Sequence, residues 1–554
     1  MPDGSRPQLP FHLHKFHGGM HLEEHKQEST GRPLQEASLP EQLVLRLKQH
    51  IGEPNDPLVA VGDRVLRGQK IADTPERVAA PIHAPTSGTV IAIEDRPVAH
   101  PSGKSDRCIV IEPDGKDEAI DFQPVDTEHA DRDTLLHHIR EAGIVGLGGA
   151  VFPTSAKAET AAAHPIKTLI INGAECEPWI TCDDMLMRSR PDAIMAGIRH
   201  LQAILQPGET LIGIEDNKPE AIAAMQQALD DAGLDNTRLI PIPTLYPSGG
   251  EKQLIKILTG HEVRSRHLAF EIGLLCQNVG TCAAISDALD RGEPLTHRIV
   301  TVTGTGVREP GNWRVPLGTP FAHLVEEAGG FTIERPEPIM GGPMMGFEVR
   351  LDATTVKAAN CLLILNRDHR PEEHECVRCG RCTDVCPAQL LPQQLYWYSR
   401  ARQFDKAEEY HLFDCIECGC CAAVCPSHLP LVQLYRYARS ELREQQRKAW
   451  KSDRARQRHE FREARIARQK AEEEERRRKK REALAKKKAA ESSSGKPAKA
   501  DAADAVQAAL ERVKARKAAQ QVEPKNTDNL TPEQQKQIDE AEARRRQKTT
   551  EGDS

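Results

Sequence analysis

Short apolar runs alternate with amphipathic stretches between about residues 130 and 295, and this pattern predicts strands followed by helices. The apolar runs, each short enough for a buried strand, are Thr168–Asn172, Thr210–Glu215 and Leu239–Ile242. A helix is expected over 219–232, because apolar residues recur there at helical spacing and a first turn tolerates Pro219. A second helix is expected over 250–259. The alternation predicts a mostly parallel α/β sheet.

The flanking regions have β patterning. Residues 58–93 contain β-branched stretches separated by glycine turns, which resembles the small sandwich of biotinyl and lipoyl domains. Those domains present a modifiable Lys at a hairpin tip, whereas the corresponding stretch 72–77 has none, so we expect a structural module without a swinging arm. A second β segment begins with His297–Thr303. Its glycine turns at 304–306 and 341–343 are assigned no chemistry.

Apolar residues nearly vanish beyond Ser440, and the charge changes sign there. Residues 441–554 hold 32 Lys and Arg against 22 Asp and Glu, a net charge of +10, while the rest of the chain carries −17. Such a segment buries too little surface to fold alone, so a solvated helix or disorder is expected. Its cations suit docking to a membrane complex. We expect no nucleic-acid binding, because the segment offers no aromatic platform for stacked bases.

The sequence also limits the compartment and the chemistry. No apolar run approaches the ~20 residues that span a bilayer, and residues 1–30 lack the apolar core of a secretory signal. An integral membrane protein is therefore not expected. Nine of the fifteen cysteines fall within 376–425. A chain in a reducing compartment does not accumulate such a cluster for disulfides, so metal or redox chemistry is indicated.

Two cysteine runs of identical spacing carry the strongest signal. Each reads Cys-x2-Cys-x2-Cys-x3-Cys-Pro, the run of two-cluster bacterial ferredoxins, in which the fourth Cys ligates the other cluster. We therefore expect two [4Fe–4S] clusters, one held by Cys376, Cys379, Cys382 and Cys425, the other by Cys415, Cys418, Cys421 and Cys386. Two zinc sites are the alternative, although zinc ribbons need neither the third Cys nor the Cys-Pro. Cys420 is surplus and is expected to be a packing residue or a spare thiol.

Four polar segments at predicted strand-to-helix junctions form a second constellation. They are a glycine-rich loop with a Lys (143–157), Asn172–Pro178, Tyr246–Lys252 and Asn278–Thr281. Glycine lets backbone amides approach a phosphate, and Lys neutralises it. The loop matches neither a Walker nor a Rossmann motif and by itself indicates only a tight turn. Open α/β sheets, however, bind ligands at such junctions.

These segments resemble the flavin site of the NADH-oxidising subunit of respiratory complex I and its diaphorase relatives. With the two ferredoxin runs and the basic tail, residues 10–440 are similar to the RnfC family of the Rnf (Rsx) ion-translocating electron transport complex. The resemblance implies FMN contacts from Gly146, Gly148, Lys157, Asn172, Glu175, Gly249, Glu251, Asn278 and Thr281. It also implies that Phe152 stacks on the nicotinamide or adenine side of NADH and that Glu177 meets the nucleotide.

Patterning and resemblance together predict a multidomain fold of α/β and α+β parts. We expect an N-terminal barrel-sandwich-like β module within 1–125, a Rossmann-like α/β FMN/NADH domain at 126–295 and a β-grasp module at 296–350. A helical ferredoxin domain with two [4Fe–4S] clusters follows at 351–440, and a disordered or helical charged tail at 441–554.

The resemblance implies a peripheral electron-input subunit on the cytoplasmic side of the bacterial inner membrane. NADH would reduce FMN without a side chain acting as acid or base, and electrons would pass singly through the clusters to partner subunits. Ferredoxin would react through such a partner, and the reverse direction is equally allowed. The ion path would lie in other subunits.

Two other functions stay open. The residues Leu147, Ala174 and Gly250 depart from the complex I pattern, which favours an electron-wire and docking module without NADH activity. A diaphorase subunit of a soluble complex is the remaining possibility.

Overall fold

The structure, a computed structural model, describes residues 11–369, 371–492, 507–513 and 515. The chain divides into two units, Met1–Lys448 and Ala449–Ser554. Among the described residues, no helix combines the length and apolar character that crossing a lipid bilayer requires.

The first unit opens with short strands. The elements are α1 (Gln27–Thr30), β1 (Gln35–Glu36), β2 (Leu43–Arg46), β3 (Asp56–Pro57), β4 (Arg64–Val65), β5 (Lys70–Asp73), β6 (Ile82–His83), β7 (Gly88–Pro97) and β8 (Ser105–Pro113). Two antiparallel sheets, ordered β2-β8-β7-β4 and β3-β5-β6, share one apolar core that includes Leu45, Ile71 and Ile109. The part is therefore a small sandwich, as the glycine-punctuated pattern predicts.

A wholly parallel four-stranded sheet, ordered β11-β10-β9-β12, forms the next part. Its elements are α2 (Arg132–Glu141), α3 (Thr154–Ala162), β9 (Thr168–Gly173), α4 (Cys182–Ser189), α5 (Pro191–Leu205), β10 (Glu209–Glu215), α6 (Pro219–Ala232), β11 (Thr237–Ile242), α7 (Glu251–Thr259), β12 (Leu274–Asn278) and α8 (Val279–Asp290). The expected helices are α6 and α7, and the sheet is buried between two apolar layers. Helices α5 and α8 cross so closely that a Cβ on Gly197 would lie 1.9 Å from the carbonyl oxygen of Cys282.

A mixed six-stranded sheet follows, ordered β1-β14-β13-β17-β15-β16. Its further elements are β13 (His297–Thr303), β14 (Gly311–Pro316), α9 (Phe321–Glu327), β15 (Pro336–Met340), β16 (Phe347–Glu348) and β17 (Cys361–Asn366). Trp313, Phe321 and Leu362 are fully buried in its core. Strand β1 pairs in parallel with β14, so the N-terminal segment is built into this sheet.

The cysteine-rich segment contains four short helices, α10 (Arg381–Asp384), α11 (Pro392–Arg400), α12 (Phe404–Glu409) and α13 (Cys420–Ala423), and the long helix α14 (Leu431–Ser492) begins after it. The two cysteine runs have the same backbone. A residue with positive φ lies between the first two cysteines of each run (Arg378, 56°; Glu417, 58°), and a glycine follows the second (Gly380, 82°; Gly419, 80°).

In the second unit, α14 continues to Ser492 with every side chain exposed from residue 451 to 490. Ion pairs one turn apart, such as Arg477–Glu473 at 2.8 Å and Lys479–Glu475 at 2.7 Å, lie along its surface. The solvated helix is thus found for this part of the predicted tail. Residues 493–506, 514 and 516–554 of the tail lie outside the described residues.

Candidate functional site

The eight cysteines of the two runs line two separate cavities. We name the first the outer cavity, lined by Cys376, Cys379, Cys382 and Cys425, and the second the inner cavity, lined by Cys386, Cys415, Cys418 and Cys421. Each cavity thus takes three cysteines from one run and the fourth from the other. This is the crosswise grouping that the ferredoxin spacing predicts.

The donor set of each cavity fits an iron–sulfur cubane, because four cysteine thiolates are its ligands. Apolar residues complete the walls, among them Leu429 and Leu431 in the outer cavity and Leu395 and Val432 in the inner one. The left-handed glycines Gly380 and Gly419 turn each ligand loop, a conformation that glycine adopts without steric cost.

The two cavities differ in exposure. Cys379 of the outer cavity is exposed, and its neighbour Val377 is 67% exposed. Cys386, Cys418 and Cys421 of the inner cavity are buried. The surplus Cys420 is fully buried and packs with Cys418 and Tyr246, so it occupies the apolar contact between the cysteine-rich segment and the α/β part.

The polar residues predicted for flavin gather at the carboxyl edge of the parallel sheet. Asn172 is the penultimate residue of β9 and Asn278 is the last residue of β12, and the two are register partners in these neighbouring strands. The Asn172 side chain donates to the Gly249 carbonyl oxygen at 2.8 Å. The Asn278 side chain caps α8 by accepting from the Gly280 amide at 2.8 Å. The edge therefore unites three of the four predicted segments.

The glycine-rich loop packs over the start of α8. The Gly146 amide donates to the Phe152 carbonyl oxygen at 2.8 Å, which closes the loop, and residues 148–150 form its exposed tip. The Leu147 amide donates to the buried Thr281 hydroxyl at 2.9 Å. A Cβ on Gly148 would lie 3.4 Å from Asn278, so glycine brings this backbone against the helix start.

Lys157 and Glu251 form an ion pair beside this loop. The Lys157 ammonium lies 3.0 Å from the Glu251 carboxylate and donates to the Cys276 carbonyl oxygen at 2.7 Å. Both side chains are partly exposed, which leaves the ammonium accessible to an anion. The two residues lie in separate segments, and the fold brings them together.

The two carboxylates of the Asn172–Pro178 segment accept hydrogen bonds from backbone amides of other segments. Glu175 accepts the backbone amides of Asp183 and Asp184 at 2.6 and 3.1 Å and so caps α4, and burial raises its pKa to about 8. Glu177 accepts the amides of Met344 and Met345, both at 2.8 Å, and burial raises its pKa. The glycine turn at 341–343, to which the sequence assigned no chemistry, therefore adjoins the Glu177 carboxylate.

Two buried lysines donate hydrogen bonds to backbone carbonyl oxygens of this segment. The Lys26 ammonium donates to the carbonyl oxygens of Glu175, Glu177 and Ile180 at 2.7 to 3.0 Å, and burial lowers its pKa. The fully buried Lys218 donates to the Ala174 carbonyl oxygen at 2.7 Å. Sequence reasoning missed both, because isolated lysines carry no spacing signal.

The carboxyl edge fits a flavin mononucleotide in its donor chemistry. An exposed glycine tip, with Gly149 at φ 103°, presents backbone amides without side chains, and Lys157 supplies a cation for phosphate. A parallel α/β domain with such an edge, followed by two four-sulfur cavities, defines a flavin-dependent iron–sulfur oxidoreductase.

Comparison with protein families agrees with this class. The chain matches the RnfC barrel sandwich hybrid domain over residues 14–116 and the Nuo51 FMN-binding domain over 139–287. It matches the SLBB domain over 299–348 and the 4Fe-4S dicluster domain over 375–429. FMN and iron–sulfur clusters are therefore the cofactors to which this domain set is suited.

Curated relatives cover most of the chain. The C subunit of the ion-translocating oxidoreductase complex of Pectobacterium atrosepticum is 48% identical over 91% of this chain and 71% of its own length. The corresponding protein of Vibrio cholerae O395 is 49% identical over 93% of this chain and 66% of its own length. Among solved structures, an air-oxidised NAD⁺-reducing [NiFe]-hydrogenase matches 51% of this chain and 55% of its own, with a TM-score of 0.41 at 20% identity.

The chain belongs to the RnfC family, the C subunits of ion-translocating oxidoreductase complexes. It is an electron-transfer subunit of such a complex, and the other subunits are its partners. It spans about two thirds of the length of these relatives.

Proposed function

We propose that this chain exchanges electrons between NADH and two [4Fe–4S] clusters through FMN bound at the carboxyl edge of the parallel sheet. It does so as a peripheral subunit on the cytoplasmic side of the bacterial inner membrane and passes electrons to partner subunits, one of which reacts with ferredoxin. The boundaries at 125, 295, 350 and 440 stay a prediction, and β17 (Cys361–Asn366) extends the six-stranded sheet beyond residue 350.

The observation that carries the proposal is the crosswise sorting of eight cysteines into two cavities. Cross-ligation keeps two clusters close together, as rapid electron transfer between them requires. FMN, when bound, converts the two-electron chemistry of NADH into the one-electron steps that clusters accept.

Each group of residues at the edge has its own task. Gly146 and Gly148 let the loop backbone approach the flavin, and Lys157 with the Asn278–Thr281 helix start receives its phosphate. Asn172, Gly249 and Glu251 orient the ring system, and Glu175 fixes the start of α4 through the Asp183 and Asp184 amides. Phe152 stacks on the nicotinamide or adenine side of NADH, and Glu177 meets the nucleotide after exchanging its Met344 and Met345 amides for it.

An anaerobic reconstitution tests this function. The purified chain is loaded with iron, sulfide and FMN, freed of excess, and mixed with NADH while flavin absorbance and cluster EPR are followed. Retained flavin that bleaches, followed by reduction of two clusters, is expected. The proposal is refuted if two clusters assemble but no flavin is retained and NADH changes neither the absorbance nor the EPR signal.

One observation favours a second function, an electron wire that docks to its complex without NADH activity. The side chains of Glu175, Glu177, Lys157 and Asn278 all have partners within the protein. A bound nucleotide would have to displace some of these contacts. The same reconstitution separates the two functions, because a wire accepts electrons from dithionite and none from NADH.

A further inference from the structure

We propose that Tyr246 is the positioning residue that couples the α/β part to the inner cavity, and that the cluster held there is the one that exchanges electrons with the flavin. The order of transfer rests on the proposed function. The cluster of the outer cavity then passes the electron on to the partner.

Tyr246 contacts a cysteine of the inner cavity directly. Its side chain is 3% exposed, and its hydroxyl donates to the Cys418 carbonyl oxygen at 2.6 Å. Its ring packs with Cys418, Cys420, Cys176 and Met344 in one apolar cluster. The hydroxyl therefore fixes the backbone of a residue whose sulfur lines the inner cavity.

The N-terminal segment holds this contact in place. The backbone of Met20 pairs with that of Tyr246 through two hydrogen bonds of 2.8 and 3.0 Å. Nearby, His17 Nδ1 donates to the Cys386 carbonyl oxygen at 3.0 Å. Cys386 and Cys418 both belong to the inner cavity. Among the described residues, hydrogen bonds from residues 11–350 reach these two cavity cysteines and none of those of the outer cavity.

Tyr246 is also joined to the predicted flavin edge. Three residues further along the chain, the Gly249 carbonyl oxygen accepts from the Asn172 side chain at 2.8 Å, and the Gly249 amide lies 3.2 Å from Cys176 Sγ. A continuous path of covalent and hydrogen bonds thus runs from Asn172 through Gly249 and Tyr246 to Cys418. Bonded paths couple redox centres better than gaps of the same length, and hydrogen bonding around a cluster helps to set its potential.

The proposed step is a one-electron transfer. The reduced flavin is oxidised by one electron and the oxidised inner cluster is reduced by it, and no bond forms or breaks in the protein. The exposure of Cys379 places the outer cavity at the surface, where the next electron carrier can approach.

Single-cluster variants test the order. In Cys379→Ala, which loses a sulfur of the outer cavity, NADH should still reduce the remaining cluster. In Cys418→Ala, which loses one of the inner cavity, the remaining cluster should stay oxidised on the same timescale although dithionite reduces it. The reverse pattern would overturn the proposal.

Tyr246→Phe tests the coupling. Reduction of the inner cluster by NADH should slow severalfold, because the variant loses the hydrogen bond to the Cys418 carbonyl oxygen, while flavin bleaching keeps its rate. In a dithionite titration, the EPR signal and midpoint potential of the inner cluster should shift and those of the outer cluster should not. Tyr398→Phe removes a hydroxyl from α11 of the cysteine-rich segment at a residue that lines neither cavity, and it should change neither cluster.

Unchanged transfer rate and inner-cluster signal in Tyr246→Phe would overturn the coupling, as would a shift confined to the outer cluster. The dithionite titration needs neither NADH nor FMN. If the wild-type chain fails to react with NADH, the proposed function falls, while the titration still decides the role of Tyr246.

Discussion

Replacing Lys357 by Met should remove one contribution to the pH dependence of stability above neutral pH. Lys357 is fully buried, and its ammonium donates to the carbonyl oxygens of Pro81 in the sandwich and Gly143 at the start of the glycine-rich loop, both at 2.6 Å. Burial lowers its pKa to about 7. One side chain thus joins three parts of the first unit.

The magnitude follows from the pKa difference. An unfolded chain keeps the proton of Lys357 up to pH 10.5, whereas the folded protein releases it near pH 7, so unfolding takes up a proton between these values. The free energy of unfolding therefore rises with pH, by about 1.4 kcal/mol per unit, or about 2 kcal/mol between about pH 7.5 and about pH 9. Burial lowers the pKa values of the neighbours His50 and His83 to about 4 and about 3, so neither titrates in this range.

Urea unfolding of wild type and Lys357→Met, followed by circular dichroism across this range, measures the effect. The free energy of unfolding of the wild type minus that of Lys357→Met, which we call the wild-type advantage, should grow by about 2 kcal/mol from the lowest to the highest pH. Lys70→Met is the control. Burial lowers the pKa of Lys70, but hydrogen bonds to Glu141 and Asp73 outweigh it and raise the pKa overall, so its contribution is constant below pH 10.5. A wild-type advantage over Lys357→Met that stays flat would refute the reasoning, because Lys357 would then be protonated throughout.

Three further predictions concern the cysteine cavities, the flavin edge and helix packing. Cys379→Ala and Cys418→Ala should each lose one cluster and leave about half of the iron, by iron analysis and EPR; loss of both from either variant would contradict independent cavities. Lys157→Met should weaken FMN binding about tenfold, because it removes one charge-assisted hydrogen bond to the phosphate. A Kd that stays unchanged in a flavin fluorescence titration would exclude Lys157 from the site. Gly197→Ala should lower the free energy of unfolding, measured in urea, by at least about 2 kcal/mol, because the added Cβ meets the backbone of α8. The control Gly31→Ala places its Cβ in open space and should leave this free energy unchanged. Equal stability of the two variants would contradict the close crossing of α5 and α8.

Strands β9, β10 and β11 were predictable because each contains an apolar run, whereas β12 (Leu274–Asn278), which ends in Gln and Asn, was not among the expected strands. The grouping of the cysteines was predictable for a different reason, since ligand spacing within each run constrains which sulfurs share a cluster. The expected flavin segments do meet at the edge of the sheet, because the carboxyl ends of parallel strands always share one edge.

Contacts between distant segments left no trace in local patterns. Lys26 lies 149 residues from Glu175, the residue whose carbonyl oxygen it binds, and a lone lysine reads as a surface residue. His17 and Cys386 likewise lie 369 residues apart. The position of the Glu177 carboxylate against Met344 depends on how two domains pack, which local periodicity does not encode.

The exchange of one cysteine between the two runs makes each cluster a cross-link. Once both clusters are bound, each one links the first run to the second, so the segment between the runs becomes a closed loop. This loop opens only if both clusters are lost. Without iron, only the apolar core that includes Leu395, Phe404 and Leu412 would hold this segment. The clusters would therefore serve the fold of the segment as well as the passage of electrons.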